Sequence, residues 1–366
     1  MAMNPRRRRS REQLMAVIRD GGGVTRGDIC ASTGLSRSAV AGGVAELLAA
    51  GLVTEREAGT AAARGRPAAL LHAVGPTGVV CAVDFGHAHV AAALADTDAE
   101  ILAERRVAID VDAQAQTALD TAAALVHELL GEAAIPVADV LGVAAGIPGP
   151  LDLATNRVRS PTILSGWVDL APHEELAERI GRPVDIRNDA DMGAQGELHF
   201  GAARGYRDVI YVKASHGVGA GLVLDGRTYR GAAGVAGEIG HTPVSDDGPR
   251  CRCGNRGCLE AVVSIDEVRR QLGAVGGGAA EARVLAEAGR TLGRVLADLC
   301  NCLNPEAIVL GGELGATGGP FVAGVREAID RRAQPAVAEA VTIRAAALGL
   351  RSELLGAVAV AVAATR

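Results

Sequence analysis

The sequence predicts an α/β protein in which a winged helix-turn-helix head precedes a larger body of mixed strands and crossover helices. Two patterns carry this reading. Within the first 75 residues, three short helical periodicities separated by glycine turns lead into a hairpin. Beyond them, apolar strands alternate with long amphipathic helices. The chain has 366 residues, 49% hydrophobic and 22% charged. That is a globular composition, long enough for two or three domains.

Residues 1–10, with Pro5 and the arginines Arg6 to Arg9, lack periodicity and read as a flexible basic arm. From Arg11 the head begins: Leu14, Val17 and Ile18 share a helical face, and Gly21 to Gly23 stop the helix. Thr25 caps a second helix through Ser32, Gly34 turns the chain, and Leu35 buries into the unit. Ser36 then caps a third helix with Val40, Val44, Leu47 and Leu48 inward. Val53 opens a strand, and Arg64-Gly65-Arg66-Pro67 reads as the tip of a wing, so the head spans 11–75. In the body, strands are expected at 79–84, 91–96, 140–145, 184–187, 209–212, 220–224 and 308–310. Helices are expected at 113–132, 191–200, 279–303 and 320–332.

Charge separates the two parts. Residues 1–75 hold 11 arginines against six acids, a net of +5, which leaves −11 for the body within an overall −6. A basic head on an acidic body is expected to meet a polyanion with the head alone. Ser36, Arg37 and Ser38 stand where a recognition helix offers side chains to base edges, and arginine can pair bidentately with guanine. Together with Arg64 and Arg66 on the wing, they are the expected contacts to double-stranded DNA. Aromatic residues make up only 2% of the chain, which argues against stacking platforms for single strands. No run approaches the ~18 apolar residues that span a bilayer, and no apolar stretch follows the N-terminal arginines. A cytoplasmic protein without a membrane partner is the expectation.

Seven cysteines include Cys251, Cys253 and Cys258, which follow His241 in the spacing His-x9-Cys-x-Cys-x4-Cys. Sulfur and imidazole ligands at this spacing suit tetrahedral zinc, and Gly254 permits the tight turn that two cysteines one residue apart need. Four protein ligands leave no open position, so the expected role is structural. Cys30, Cys81, Cys300 and Cys302 lie in apolar contexts and read as core residues.

Glu238-Ile239-Gly240-His241, with Cys251-Arg-Cys253-Gly254-Asn-Arg-Gly257-Cys258-Leu-Glu260, resembles the paired signatures of the ROK family of transcriptional repressors and sugar kinases. The likeness continues in Gly146-Ile-Pro-Gly-Pro150, Leu164-Ser-Gly-Trp167, Asn188-Asp-Ala-Asp191, Gly219-Ala-Gly221 and Gly311-Gly312. The repressors of this family carry a DNA-binding head and its kinases do not. The resemblance implies an actin-like, hexokinase-like two-lobed body. The first lobe would cover 76–187, rejoined by a C-terminal helix at 352–366, and the second would cover 188–351 with the zinc site. It further implies that Asn188, Asp189, Glu238, His241 and Glu260 bind sugar hydroxyls in the cleft. The loop Leu164 to Trp167 would line that cleft, and in a kinase Asp189 would take the proton of the attacking hydroxyl.

Departures from the family pattern fall on the nucleotide side. The kinases carry Asp-x-Gly-Gly-Thr in the first phosphate loop, whereas this chain has Asp84-Phe-Gly86-His87-Ala88. In the second loop Gly-Thr-Gly is replaced by Ser215-His216-Gly217, and Glu313 follows Gly311-Gly312. Two hydroxyls are lost, two imidazoles intrude and one negative charge is added where phosphate should sit, so ATP is not expected to bind. The reading is a sugar-responsive regulator, a repressor acting as a homo-oligomer (dimer or tetramer) on operator DNA, with no catalytic residue. The alternatives are an ATP-dependent sugar kinase with an appended DNA-binding head, and a DNA binder whose sugar lobe is vestigial. Either His87 or His216 could hold a phosphate as a cation, so a sugar phosphate stays open as effector.

Overall fold

The computed structural model describes residues 13–18, 23–50, 52–57, 69–73, 78–152, 154–158, 164–168 and 170–365. The arm at 1–10 and the wing tip with Arg64 and Arg66 lie outside them. The chain divides into two compact units, Met1–Thr77 and Gly78–Arg366.

In the first unit, helix α1 (13–18) is followed by α2 (Arg26–Thr33) and α3 (Arg37–Ala49), and strands β1 (Val53–Glu57) and β2 (Ala69–Ala73) pair antiparallel. Local chemistry sets each boundary. Thr25 and Asp28 form a reciprocal capping box that starts α2, and Gly34 ends it at φ +68°. The Ser36 hydroxyl accepts from Ala39 N and starts α3. Leu14, Ile18, Ile29, Val40, Val44, Leu47, Val53 and Leu71 form the core. Val24 and Leu71 exchange two backbone hydrogen bonds that tie the entry to α2 against the hairpin.

The second unit repeats one topology twice. Its first sheet comprises β3 (Val79–Gly86), β4 (His89–Asp96), β5 (Ile101–Ala108), β6 (Val140–Ile147) and β7 (Val184–Asn188), ordered β5-β4-β3-β6-β7. Its second comprises β8 (Val209–Ala214), β9 (Val218–Leu224), β10 (Arg227–Tyr229), β11 (Ala307–Gly311) and β12 (Thr342–Ala345), ordered β10-β9-β8-β11-β12. Each has an antiparallel meander on one side and parallel strands on the other. The parallel pairs need crossovers. Helices α4 (Ala115–Glu132) and α5 (Pro172–Ile180) supply them in the first lobe. Helix α6 (Asp189–Phe200) links the sheets. In the second lobe come α7 (Leu259–Val263), α8 (Ile265–Leu272), α9 (Ala279–Leu303), α10 (Gly312–Ala316), α11 (Gly319–Arg332) and α12 (Pro335–Ala340). Helix α13 (Ser352–Ala363) closes the order.

Strand β3 is buried throughout and apolar but for Asp84 because both its faces are covered. Cys81, Val83 and Phe85 join the core with α4 and α5, while Val80 and Ala82 pack with Met192 of α6 and Leu354, Ala357, Val358 and Ala361 of α13. Strand β5 has no apolar alternation in its sequence, because Glu104, Arg105 and Arg106 interrupt its apolar residues and lie exposed on a sheet edge. Of the four cysteines expected in cores, Cys81 and Cys300 are buried, but Cys30 is half-buried and Cys302 exposed. Cys302 lies two residues beyond Cys300 on α9, about 200° around the helix, and so faces away from the core.

Helices α6 and α13 meet at backbone distance. A Cβ at Gly196 would fall 2.1 Å from Ser352 O, and one at Gly356 only 1.7 Å from Met192 O. Beside this crossing the fully buried Glu197 carboxylate accepts from Ser352 Oγ (2.8 Å), Leu348 N (3.0 Å), Ala347 N (3.1 Å) and Ala202 N (2.7 Å). We expect Gly356→Ala to force these helices apart and lower stability by about 3 kcal/mol. Gly131→Ala, at an open position near the end of α4, should be neutral or slightly stabilising. Urea unfolding of the two variants measures the contrast.

Candidate functional site

The polar residues implied for sugar binding converge in one cleft. It is lined by Asn188, Asp189, Glu238, His241 and Glu260, together with His87, Lys213 and the backbone of Pro148-Gly149 and Gly217 to Gly219. Asn188 is the N-cap of α6: its Oδ1 accepts from Ala190 N (2.9 Å) and Asp191 N (3.2 Å), and its Nδ2 donates to Gly149 O (3.0 Å). Most of its hydrogen-bonding capacity therefore holds the cleft floor in shape. Asp189 opens α6 at the end of β7. Glu260, in the first turn of α7, accepts from Val218 N through Oε2 (3.1 Å), and Arg252 Nε lies 3.0 Å from its Oε1. Glu238 is pushed up to about 7 by burial and by the neighbouring carboxylates of Asp189, Glu260 and Asp191.

Sequence reasoning missed Lys213. Its Nζ lies 2.7 Å from Asp189 Oδ2 and 3.9 Å from Glu353 Oε1, which also accepts from the buried Tyr211 hydroxyl at 2.8 Å. Burial pulls this lysine down, but Asp189, Glu353 and Asp84 outweigh it and hold the ammonium above the ordinary lysine value. The available signal was composition: Lys213 is the only lysine among 37 basic residues, and it stands at the mouth of the second phosphate-loop segment. One oxygen of Asp189 is thus committed to an ion pair with the ammonium.

On the nucleotide side, the chain's own side chains fill the loops. Glu313 takes the Ser215 hydroxyl at 3.3 Å and Arg269 Nη2 at 2.5 Å, and His216 Nδ1 lies 3.6 Å away. In the first loop His89 Nε2 lies 2.8 Å from the buried Asp84 Oδ2, while His87 Nδ1 lies 2.6 Å from Asp112 Oδ1. His89 and Lys213 outweigh burial and keep Asp84 below the usual carboxylate range.

His241, Cys251, Cys253 and Cys258 bring one ligand atom each to within 4.8 Å of one another. His241 Nδ1 is 3.5 Å from Cys251 Sγ, and Cys253 Sγ is 3.7 Å from Cys258 Sγ. A tetrahedron with Zn–S arms of ~2.3 Å has edges of roughly 3.8 Å, so the donor set fits that ion. Burial raises Cys251 and pushes Cys258 up to about 12, so a bound cation would have to displace their protons. The His241 ring faces two ways: Nδ1 toward the sulfurs and Nε2 toward Glu238 at 3.6 Å.

In the head, Ser36, Arg37 and Ser38 are exposed at the start of α3, although the Ser36 hydroxyl serves as the cap and also meets Ser38 Oγ at 3.1 Å. One expectation is corrected. Trp167 does not line the cleft; it is wholly buried in the first-lobe core, edge-on to Phe85, and its Nε1 donates to Val111 O at 2.7 Å. An indole that buries its ring and pairs its N–H gains more there than on a polar pocket wall.

Asp191, one turn into the cleft helix, is pushed up to about 6 by burial, against the opposing pull of Arg230 at 3.1 Å. Because its folded value lies above the ordinary 3.8, its ionisation opposes folding, and the cost grows as pH rises from about 4 through 6. We expect Asp191→Asn to be more stable than the parent by roughly 2–3 kcal/mol at pH 7.5 and by about half as much at pH 5. Urea unfolding at the two pH values decides this; an unchanged difference would sink the assignment.

Comparison with known proteins places this geometry in context. Residues 80–364 match the ROK family and residues 11–64 match the MarR family. The xylose repressor of Bacillus spizizenii is 26% identical over 94% of this chain and 92% of its own. A crystal structure of a ROK family transcriptional regulator, a homologue of the E. coli Mlc protein, superposes with TM-score 0.79 at 24% identity and covers 99% of this chain and 97% of that one. A ROK family glucokinase from Streptomyces griseus, solved with glucose and AMPPNP, reaches TM-score 0.68 at 28% identity over 78% of this chain and 99% of its own. With the family match spanning most of the chain, both signatures in place and the two-lobed fold around them, this protein belongs to the ROK family.

Proposed function

We propose that the chain is a sugar-responsive transcriptional repressor that does not phosphorylate its effector. One observation carries the reading: a helix-turn-helix head shares the chain with a kinase-like body in which the hydroxyl-binding acids stand together while charged side chains of the protein itself occupy the phosphate loops. Relatives similar over nearly the whole length include a xylose repressor and the E. coli repressor Mlc. The glucokinase matches without the full chain.

In this reading Asn188, Asp189, Glu238, His241 and Glu260 bind the sugar, and carboxylates suit the task because each accepts from two hydroxyls. Asp189 Oδ2 is paired with Lys213, and the group that would serve a kinase as base is assigned here as a binding residue. His241, Cys251, Cys253 and Cys258 hold structural zinc, which fixes the His241 ring at the pocket wall. A cytoplasmic homodimer, or a dimer of dimers, sets its heads on the half-sites of double-stranded operator DNA. Arg37 and Ser38 read the major groove beside Ser36; Arg64 and Arg66 are assigned to the wing contacts from sequence alone. Sugar lowers DNA affinity by favouring a body conformation unsuited to the operator. The kinase reading keeps one point in its favour, the intact acids of the cleft, and an assay separates the two.

The right sugar should weaken operator binding about 5- to 150-fold in fluorescence anisotropy, and Arg37→Ala should weaken it without sugar. Sugar-dependent ADP production at ordinary kinase rates, of the order of 1–100 per second, would overturn the non-catalytic reading. Verified zinc removal should lower the melting temperature and abolish the sugar response together; unchanged melting would refute the zinc assignment.

A further inference from the structure

A second polar chamber of about 380 Å³ adjoins the sugar cleft, lined by His87, Ala88, Ile109, Asp110, Asp112, His216, Arg252 and Asp266. His87 belongs to both cavities. It stands on the bare Cα of Gly217, where a Cβ would fall 2.7 Å from His87 Nε2 and 3.3 Å from Glu260 Oε2. The ring is therefore a partition between the two spaces, closed on one side by the second lobe.

The partition is held from behind. Asp112 Oδ1 lies 2.6 Å from His87 Nδ1, and Arg252 Nη1 donates to Asp112 Oδ2 at 3.3 Å. Arg252 also donates to His216 O through Nη2 at 3.0 Å, and its Nε faces Glu260 at 3.0 Å. The segment bearing Asp112 is fixed in turn: Val111 N donates to His87 O, Gly166 N to Asp112 O, and the buried Trp167 to Val111 O. The chain His87–Asp112–Arg252–Glu260 thus starts on the first lobe, ends on the second, and meets the sugar cleft at both ends.

Charge works against an anion on either side of this wall. In the sugar cleft Asp189, Glu238 and Glu260 face the single ammonium of Lys213, which Asp189 already holds. In the second chamber Asp110, Asp112 and Asp266 face Arg252, which is shared between Asp112 and Glu260. His216, the other cation source, lies between Glu313 at 3.6 Å and Asp266 at 3.8 Å. Among the described residues, a phosphate dianion in either space would find each lining lysine or arginine already paired, and a surplus of carboxylates.

We propose that His87, keyed by Asp112 and Arg252, is a specificity-determining wall that makes the cleft select a free monosaccharide over its phosphate ester. This rests on the sugar-binding reading above and narrows it. The substitution that spoils the first phosphate loop does a second job: it closes the side of the cleft through which a phosphoryl group would project.

The test uses the full chain and calorimetric titration with glucose, mannose, N-acetylglucosamine and xylose, each beside its available phosphate esters. The parent should bind one free sugar at least 100-fold more tightly than any of its esters. His87→Gly, which removes the wall, should reduce that ratio to tenfold or less. Asp112→Asn, which leaves the ring but loosens its key, should give an intermediate ratio and serves if the glycine variant melts early. A parent that binds an ester as tightly as the free sugar overturns the proposal and leaves the sugar reading standing, as does an unchanged ratio in both variants. Binding of no sugar by the parent, with melting intact, overturns the sugar reading and this inference with it.

Discussion

The crossing of α6 and α13 constrains everything around it. Two helices can approach this closely only where side chains are missing, and Gly196 and Gly356 provide the gap. Glu197 then binds the crossing to the 347–352 segment through three donors, and Ala202 N supplies a fourth, so the hydrogen-bonding capacity of this buried carboxyl group is filled. From this crossing α6 presents Asp189 at its first residue, and α13 presents Glu353 within 3.9 Å of Lys213. The position of the pocket's central ion pair is thus a result of backbone packing outside the pocket.

The cleft itself is an exercise in balancing carboxylates. Asp189, Glu238 and Glu260 line it with Lys213, His87 and His241, Arg252 meets Glu260, and Asp84 and Glu353 add their charge to the surroundings of the lysine. Such a set can bind hydroxyls well because acceptors are plentiful, and it handles further negative charge badly. His241 links this set to the sulfur cluster, so the rigidity of one ring serves both the group of four candidate ligands and the pocket wall.

Much of this was legible in the sequence, for identifiable reasons. Thr25, Gly34 and Ser36 announce the head's helix ends because capping chemistry is local. The spacing from His241 to Cys258 announces the convergence of four candidate ligand atoms because ligand geometry tolerates few alternatives. The edge strands β5 and β12 were illegible because exposure removes the apolar signal on which strand reading depends. Trp167 was misplaced for a related reason: a motif gives the neighbourhood of a side chain but not the direction it faces. Lys213 escaped notice because a lone cation becomes meaningful only once Asp189 and Glu353, 24 residues before it and 140 after it in sequence, are seen at its sides.

The cover of the first sheet also has a bearing on how the chain is made. Strand β3 begins at Val79, but the helix that shields its second face begins at Ser352. During synthesis the head can fold as soon as it emerges, whereas Val80, Ala82, Ala91, Ala93 and Ala144 stay bare until translation has passed residue 352. A nascent chain paused within the second lobe therefore exposes a ready-made apolar sheet face, the kind of surface that recruits chaperones or aggregates. Completion of the first lobe is one of the last events in the life of the growing polypeptide.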